Sequence, residues 1–120
     1  MREFLHVDDL GAASVFALEN WSTLANNAPL DSDGKVLPFL NVGTGIDLTI
    51  KQLAELVARC VQYNGKINWD ESKPDGTPKK QLNIAKLQSI GWRPKISLEE
   101  GLRQAIQDYK KSVNDSTLRG

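Results

Sequence analysis

With 120 residues, 15 of them basic and 15 acidic, the chain has room for one small domain, and its balanced charge excludes a broad electrostatic grip on nucleic acid or an anionic membrane. Hydrophobic residues make up 40% and charged residues 25%, which excludes a fibrous or disordered class. One cysteine, Cys60, and one histidine, His6, exclude an internal disulfide and leave a zinc centre short of ligands, so no metal site is expected.

In chain order, Glu3–Val7 reads as a short strand with Phe4, Leu5 and Val7 apolar. Asp8 or Asp9 then caps a predicted helix from Leu10 to about Trp21, its buried stripe holding Leu10, Ala13, Ala17 and Trp21, widened by Val15, Phe16 and Leu18. Ala25–Lys35 is rich in Asn, Asp, Ser, Pro and Gly and reads as an exposed loop. Leu37–Val42 is the second predicted strand, closed by the tight turn Gly43-Thr44-Gly45. Thr49 and Gln52 form a capping box that opens a helix through about Gln62, with Leu53, Leu56, Val57, Cys60 and Val61 on one face.

Asn64-Gly65 stops that helix, and Lys66–Asp70 is the third predicted strand. The loop from Ser72 to Pro78 contains two prolines, which disfavour a regular element. A short helix over Ile84, Leu87 and Ile90 ends at Gly91. The last helix opens on a second capping box, Ser97 to Glu100, and carries Leu98, Leu102, Ala105, Ile106 and Tyr109 at helical spacing. About three strands and four helices in alternation predict an α/β or α+β-like arrangement in a single domain over residues 1–120. No apolar run approaches the roughly 20 residues that span a bilayer. Met1-Arg2-Glu3-Phe4 lacks the shape of a signal peptide, so the expected compartment is the cytoplasm.

The most informative local cluster surrounds the Pro-Gly loop. Lys73, Lys79 and Lys80 bracket Asp75 in a segment stiffened by Pro74 and Pro78. Ammonium groups beside one carboxylate suit a ligand that offers phosphate together with a hydroxyl or amino group; the plainer reading is a solvated turn. Arg2 is a second phosphate-binding candidate, its guanidinium suited to bidentate contact, against the plainer reading of a loose terminal side chain. His6 beside Asp8 and Asp9 invites an acid/base reading, but a structural hydrogen-bonding histidine is preferred. Gly43-Thr44-Gly45 supplies two glycines of a dinucleotide fingerprint, yet Leu48 stands where the third belongs, so it reads as a tight turn. Cys60 falls on an apolar helix face and reads as core.

Several strings resemble the C-terminal part of the extended short-chain dehydrogenase/reductase superfamily: Arg2-Glu3-Phe4-Leu5-His6-Val7-Asp8-Asp9, and Phe39-Leu40-Asn41-Val42-Gly43-Thr44-Gly45. A narrower resemblance, to the GDP-L-fucose synthase family, rests on the segment from Ser72 through Pro78 to Lys80, on Leu87 and Gly91-Trp92, and on Ile96-Ser97-Leu98-Glu99-Glu100-Gly101-Leu102. It covers nearly the whole chain to Arg119-Gly120; the loop over 22–36 departs freely. The resemblance implies epimerisation of a GDP-keto-sugar followed by NADP(H)-dependent reduction, with Arg2, Asp75 and Lys80 contacting the nucleotide sugar.

It also implies what this chain does not carry. The family's hydride chemistry uses a Tyr-x-x-x-Lys pair, whose lysine assists proton transfer by the tyrosine. Here Tyr63 is followed at that spacing by Ile67, and Tyr109 by Val113. The expectation is a substrate-binding portion without the Rossmann half, with no catalytic and no cofactor-binding residue of its own. It would be inactive alone, and would self-associate or pair with a nucleotide-binding half. A stand-alone nucleotide-sugar binding or interaction module is the alternative.

Overall fold

The four expected helices form, and their ends show why. In a computed structural model, which describes residues 1–74 and 76–114, the order is β1 (Arg2–Glu3), α1 (Val7–Asn20), β2 (Asp47–Leu48), α2 (Ile50–Cys60), α3 (Ala85–Ser89) and α4 (Leu98–Asn114). The chain is thus a small α/β arrangement of four helices and a two-stranded sheet among the described residues. Thr49 caps α2 as its residue type predicts: its side chain accepts from the Gln52 amide while Gln52 accepts from the Thr49 amide, a complete capping box. At α4 the Glu100 amide donates to Ser97 Oγ at 3.2 Å.

Helix α2 closes earlier than Asn64-Gly65. The Gln62 amide donates to Arg59 O and the Tyr63 amide to Ala58 O, which places Gln62 at the left-handed position of a Schellman motif with φ +58°. Helix α3 ends on the same motif, with Gly91 (φ +110°) at the equivalent place and the Trp92 amide donating to Leu87 O. Helix α1 begins at Val7 because His6, and neither aspartate, is its cap: His6 Nδ1 accepts from the Asp8 amide at 3.2 Å. This corrects the capping role expected of Asp8 or Asp9. It also shortens the first strand, since the chain has turned helical by Val7.

The strands are fewer and differently placed. One antiparallel ladder forms, pairing Arg2 with Leu48 and Glu3 with Asp47. Neither Leu37–Val42 nor Lys66–Asp70 joins a ladder among the described residues. A strand needs a partner along its length to take its backbone donors and acceptors; the Leu37 amide donates to Pro29 O at 2.9 Å as part of the isolated Leu30–Val36 bridge, which is not continued into a ladder among the described residues. The 25–35 loop is more built than expected: Leu30 bridges Val36, and Asp31 Oδ1 accepts from the Asp33 and Lys35 amides, both at 2.9 Å.

The core gathers Ala13, Leu87 and Trp92, with Leu5, Phe16, Leu40, Val42 and Ile90 packed against them. Of the stripe expected on α1, Ala13 is buried and Phe16, Ala17 and Trp21 are half-buried, whereas Leu10, Val15 and Leu18 face outward. That helix carries apolar residues around most of its circumference, so its period alone could not choose a face. Helix α2 packs on α4, burying Leu56 and half-burying Leu53, Val57 and Cys60. Ala105 and Tyr109 on α4 are exposed, contrary to their helical spacing.

Asp9 links α1 to the segment before α4. Only 3% exposed, its carboxylate accepts from the Lys95 amide at 3.1 Å and the Ile96 amide at 2.9 Å. Gly101 lets His6 approach α4, since a Cβ there would stand 2.8 Å from His6 Cδ2. The radius of gyration, 18.3 Å, exceeds the about 14 Å of a compact chain this long, so much apolar surface stays outside the core.

Candidate functional site

Strand β1 is the centre of the site because it is held on both sides. One edge pairs with β2; on the other, Arg2 bridges Lys80 in parallel and the Lys80 amide donates to Met1 O at 3.2 Å. This brings the start of the chain against the Pro-Gly loop. Arg2 Nη1 donates to Thr77 O at 2.6 Å and to Met1 O at 2.8 Å, and a Cβ at Gly76 would lie 2.9 Å from Arg2 Nη2. Arg2 is therefore an ordered, half-buried side chain folded onto the loop. A guanidinium carries five N–H donors, so two carbonyl bonds from one nitrogen do not exhaust it.

A cavity of about 330 Å³ opens here, lined by Met1, Arg2, Ile50, Gly76, Thr77 and Pro78. It is at the small end of ligand-sized pockets. Lys80 is exposed on the strand-like segment beside Arg2. Lys73 is exposed as well, while Lys79 turns away: its ammonium lies 3.5 Å from Asp47 Oδ2, a side chain 13% exposed. The structure thus brings together Arg2, Lys80 and the 76–78 backbone. Asp75, the remaining candidate, lies outside the described residues.

Glu3 is the residue that sequence reasoning missed. Its Oε1 accepts from the Thr44 amide at 2.7 Å, the Gly45 amide at 2.6 Å and the Thr44 hydroxyl at 3.2 Å, while Oε2 accepts from the Leu82 amide at 2.9 Å. Burial opposes the charge, but the Leu82, Gly45 and Thr44 donors outweigh it and hold the carboxyl below its ordinary value of 4.5. A carboxylate at the start of a run that is otherwise largely apolar, Phe4-Leu5-His6-Val7, was the available signal.

The same bonds decide the role of the Gly43-Thr44-Gly45 turn. Its two amides are aimed at Glu3, and a Cβ at Gly43 would stand 2.6 Å from Glu3 Oε1. A dinucleotide phosphate has no cradle there, so the turn does not fit NADP binding. Gly45 takes φ +74°, the conformation that favours glycine in such a turn. Elsewhere, Tyr63 donates its hydroxyl to Lys66 O at 3.3 Å. No three metal-ligating side chains come together among the described residues, and none of their helices is long and apolar enough to cross a membrane.

Comparison with known proteins places this geometry. No protein-family model matches the chain. It is 45% identical over all 120 residues to a GDP-L-fucose synthase of Escherichia coli, covering 36% of that protein. Its fold superposes with a TM-score of 0.80 and 32% identity on a GDP-6-OMe-4-keto-L-xylo-heptose reductase from Campylobacter jejuni, over 92% of this chain and 31% of that one. A GDP-mannoheptose C4 reductase from Campylobacter jejuni with NADP bound matches with a TM-score of 0.71 and 29% identity, over 91% of this chain and 31% of that one. The chain spans about a third of the length of these relatives. In sequence and in fold, it corresponds to the C-terminal part of an extended short-chain dehydrogenase/reductase, and its homologues are GDP-L-fucose synthases.

Proposed function

We propose that residues 1–120 form one substrate-binding domain, the GDP-sugar-holding part of an NADP(H)-dependent GDP-L-fucose synthase that makes GDP-L-fucose from GDP-4-keto-6-deoxy-mannose. The observation that carries this reading is Arg2 folded onto the Pro-Gly loop. A guanidinium at the mouth of a small cavity suits a diphosphate, which it can meet with two parallel N–H bonds. Lys80 adds a point charge beside it, and Asp75 serves as acceptor for a donor group of the base or sugar.

Neither tyrosine of the chain stands four residues before a lysine, and the glycine turn is occupied by Glu3. In this reading the domain binds and orients the nucleotide sugar. Cofactor binding and proton transfer belong to a nucleotide-binding half against which outward-facing side chains such as Leu18, Phe39 and Ile46 would pack. The isolated chain is then inactive as a reductase, and NADPH oxidation by it in the presence of the keto-sugar would contradict the assignment.

The test is calorimetric titration of the chain with GDP. Saturable binding that weakens about tenfold in both Asp75→Ala and Arg2→Ala, the loss of a charge-assisted contact, is the expected result. Affinity in both variants equal to that of the unaltered chain would remove these residues from the site. Absence of binding by the unaltered chain would mean that this domain holds no substrate on its own.

A further inference from the structure

We infer that Glu3 is a positioning residue for the nucleotide site: its carboxylate fixes β1 between the 43–45 turn and the 80–82 segment and thereby sets where Arg2 meets the Pro-Gly loop. The inference rests on the function proposed above, but its geometry stands alone. Glu3 and Arg2 are adjacent in one two-residue strand, so they leave opposite faces of it. One face sends Arg2 to Thr77 O; the other sends Glu3 to Thr44, Gly45 and Leu82.

A ladder of two residue pairs is weak in isolation. On the edge of β1 away from that ladder, Arg2 bridges Lys80 and the Lys80 amide donates to Met1 O, which joins the 80–82 segment to the main chain of residues 1–3. The Glu3 carboxylate closes the same junction from the far side by taking the Leu82 amide on Oε2, while Oε1 takes the turn. Segments 41 and 79 residues away in sequence are thus joined through one side chain. Gly43 is part of the device, because a methyl group there would stand 2.6 Å from Oε1 and displace the carboxylate. Gln81 adds a bond of its own from Nε2 to Gly45 O at 2.5 Å, so the turn and the 80–82 segment also touch directly.

The test uses Glu3→Gln, which keeps the size but presents an amide N–H to donors that need acceptors, and Gly43→Ala, which moves the carboxylate without altering it. Leu87→Val, in the core, is the control for a general loss of stability. GDP affinity is measured by calorimetry at a temperature where all variants are folded, with amide hydrogen exchange at Lys80 and Leu82. Glu3→Gln is expected to weaken GDP binding about tenfold and Gly43→Ala about threefold, the scale of one or two lost polar contacts; Leu87→Val should leave it unchanged. In Glu3→Gln, protection at Lys80 should fall further than global unfolding requires.

Equal GDP affinity in Glu3→Gln and Leu87→Val would overturn the inference. If the unaltered chain binds no GDP, the functional reading fails by itself. Exchange then decides the role of Glu3: Lys80 protection retained in Glu3→Gln overturns it, and selective loss upholds the positioning of β1.

Discussion

Two carboxylates six residues apart do the same chemical work in different surroundings. Glu3 and Asp9 each accept backbone N–H bonds from remote segments, Glu3 from Thr44, Gly45 and Leu82, Asp9 from Lys95 and Ile96. Asp9 is almost wholly buried and joins α1 to the segment leading into α4, beside the Ala13, Leu87 and Trp92 core. Glu3 is half-buried and stands next to Arg2. The difference teaches that one kind of bond can secure either a fold or a site, according to how much water its donors would find if it were lost.

The largest effect is expected at Asp9. Asp9→Ala strands two part-buried amides and leaves a void beside the core, and should cost about 2–3 kcal/mol in denaturant unfolding, while GDP affinity of the folded fraction holds; a loss below about 1 kcal/mol would show that water replaces the carboxylate. Glu3→Gln comes next, at about 1–2 kcal/mol at neutral pH, because water reaches part of its junction. The sign of its pH dependence follows from the depressed carboxyl. Its stabilisation is complete above the ordinary value of 4.5 and is lost as pH falls through the lower folded-state value. The gap between the unaltered chain and Glu3→Gln should therefore be constant near neutrality and close in acid; a gap that widens in acid would reverse the assignment.

The smallest effect is a gain. Gln62 sits at φ +58° where α3 uses Gly91, so Gln62→Gly should add about 0.5–1 kcal/mol by removing left-handed strain. Its amide bond closes within the last turn of α2, on Arg59 O, so Gln62→Gly should stabilise Asp9→Ala and Glu3→Gln by the same free energy. Unequal gains would mean that α2 communicates with one junction and not the other.

What the sequence could and could not reveal follows the range of each interaction. The capping box at Thr49 and the glycine stop at Gly91 are local, and both were legible because every participant lies within a few residues. The stop at Gln62 was not, since glutamine is a poor marker for a left-handed position. Strands were read from apolar runs, yet pairing depends on a partner that periodicity does not specify, so Leu37–Val42 was expected to pair and Asp47–Leu48 was not. Arg2 and Lys80 were singled out by residue type and by resemblance, but their adjacency across 78 positions had no local signal. Asp9 was mistaken for a cap because an aspartate before a helix does that in most chains; its actual donors lie 86 and 87 residues onward.

The junction at β1 also has a consequence in time. Its bonds span separations of 41, 75 and 79 residues, whereas α2 closes on bonds a few residues long. Joining distant segments costs chain entropy that local turns do not. As the polypeptide leaves the ribosome, α1 and α2 can form while Glu3 still has no Leu82 to meet. The β1 junction is then an event of late synthesis: a chain halted before residue 82 would lack the Leu82 amide that Glu3 meets.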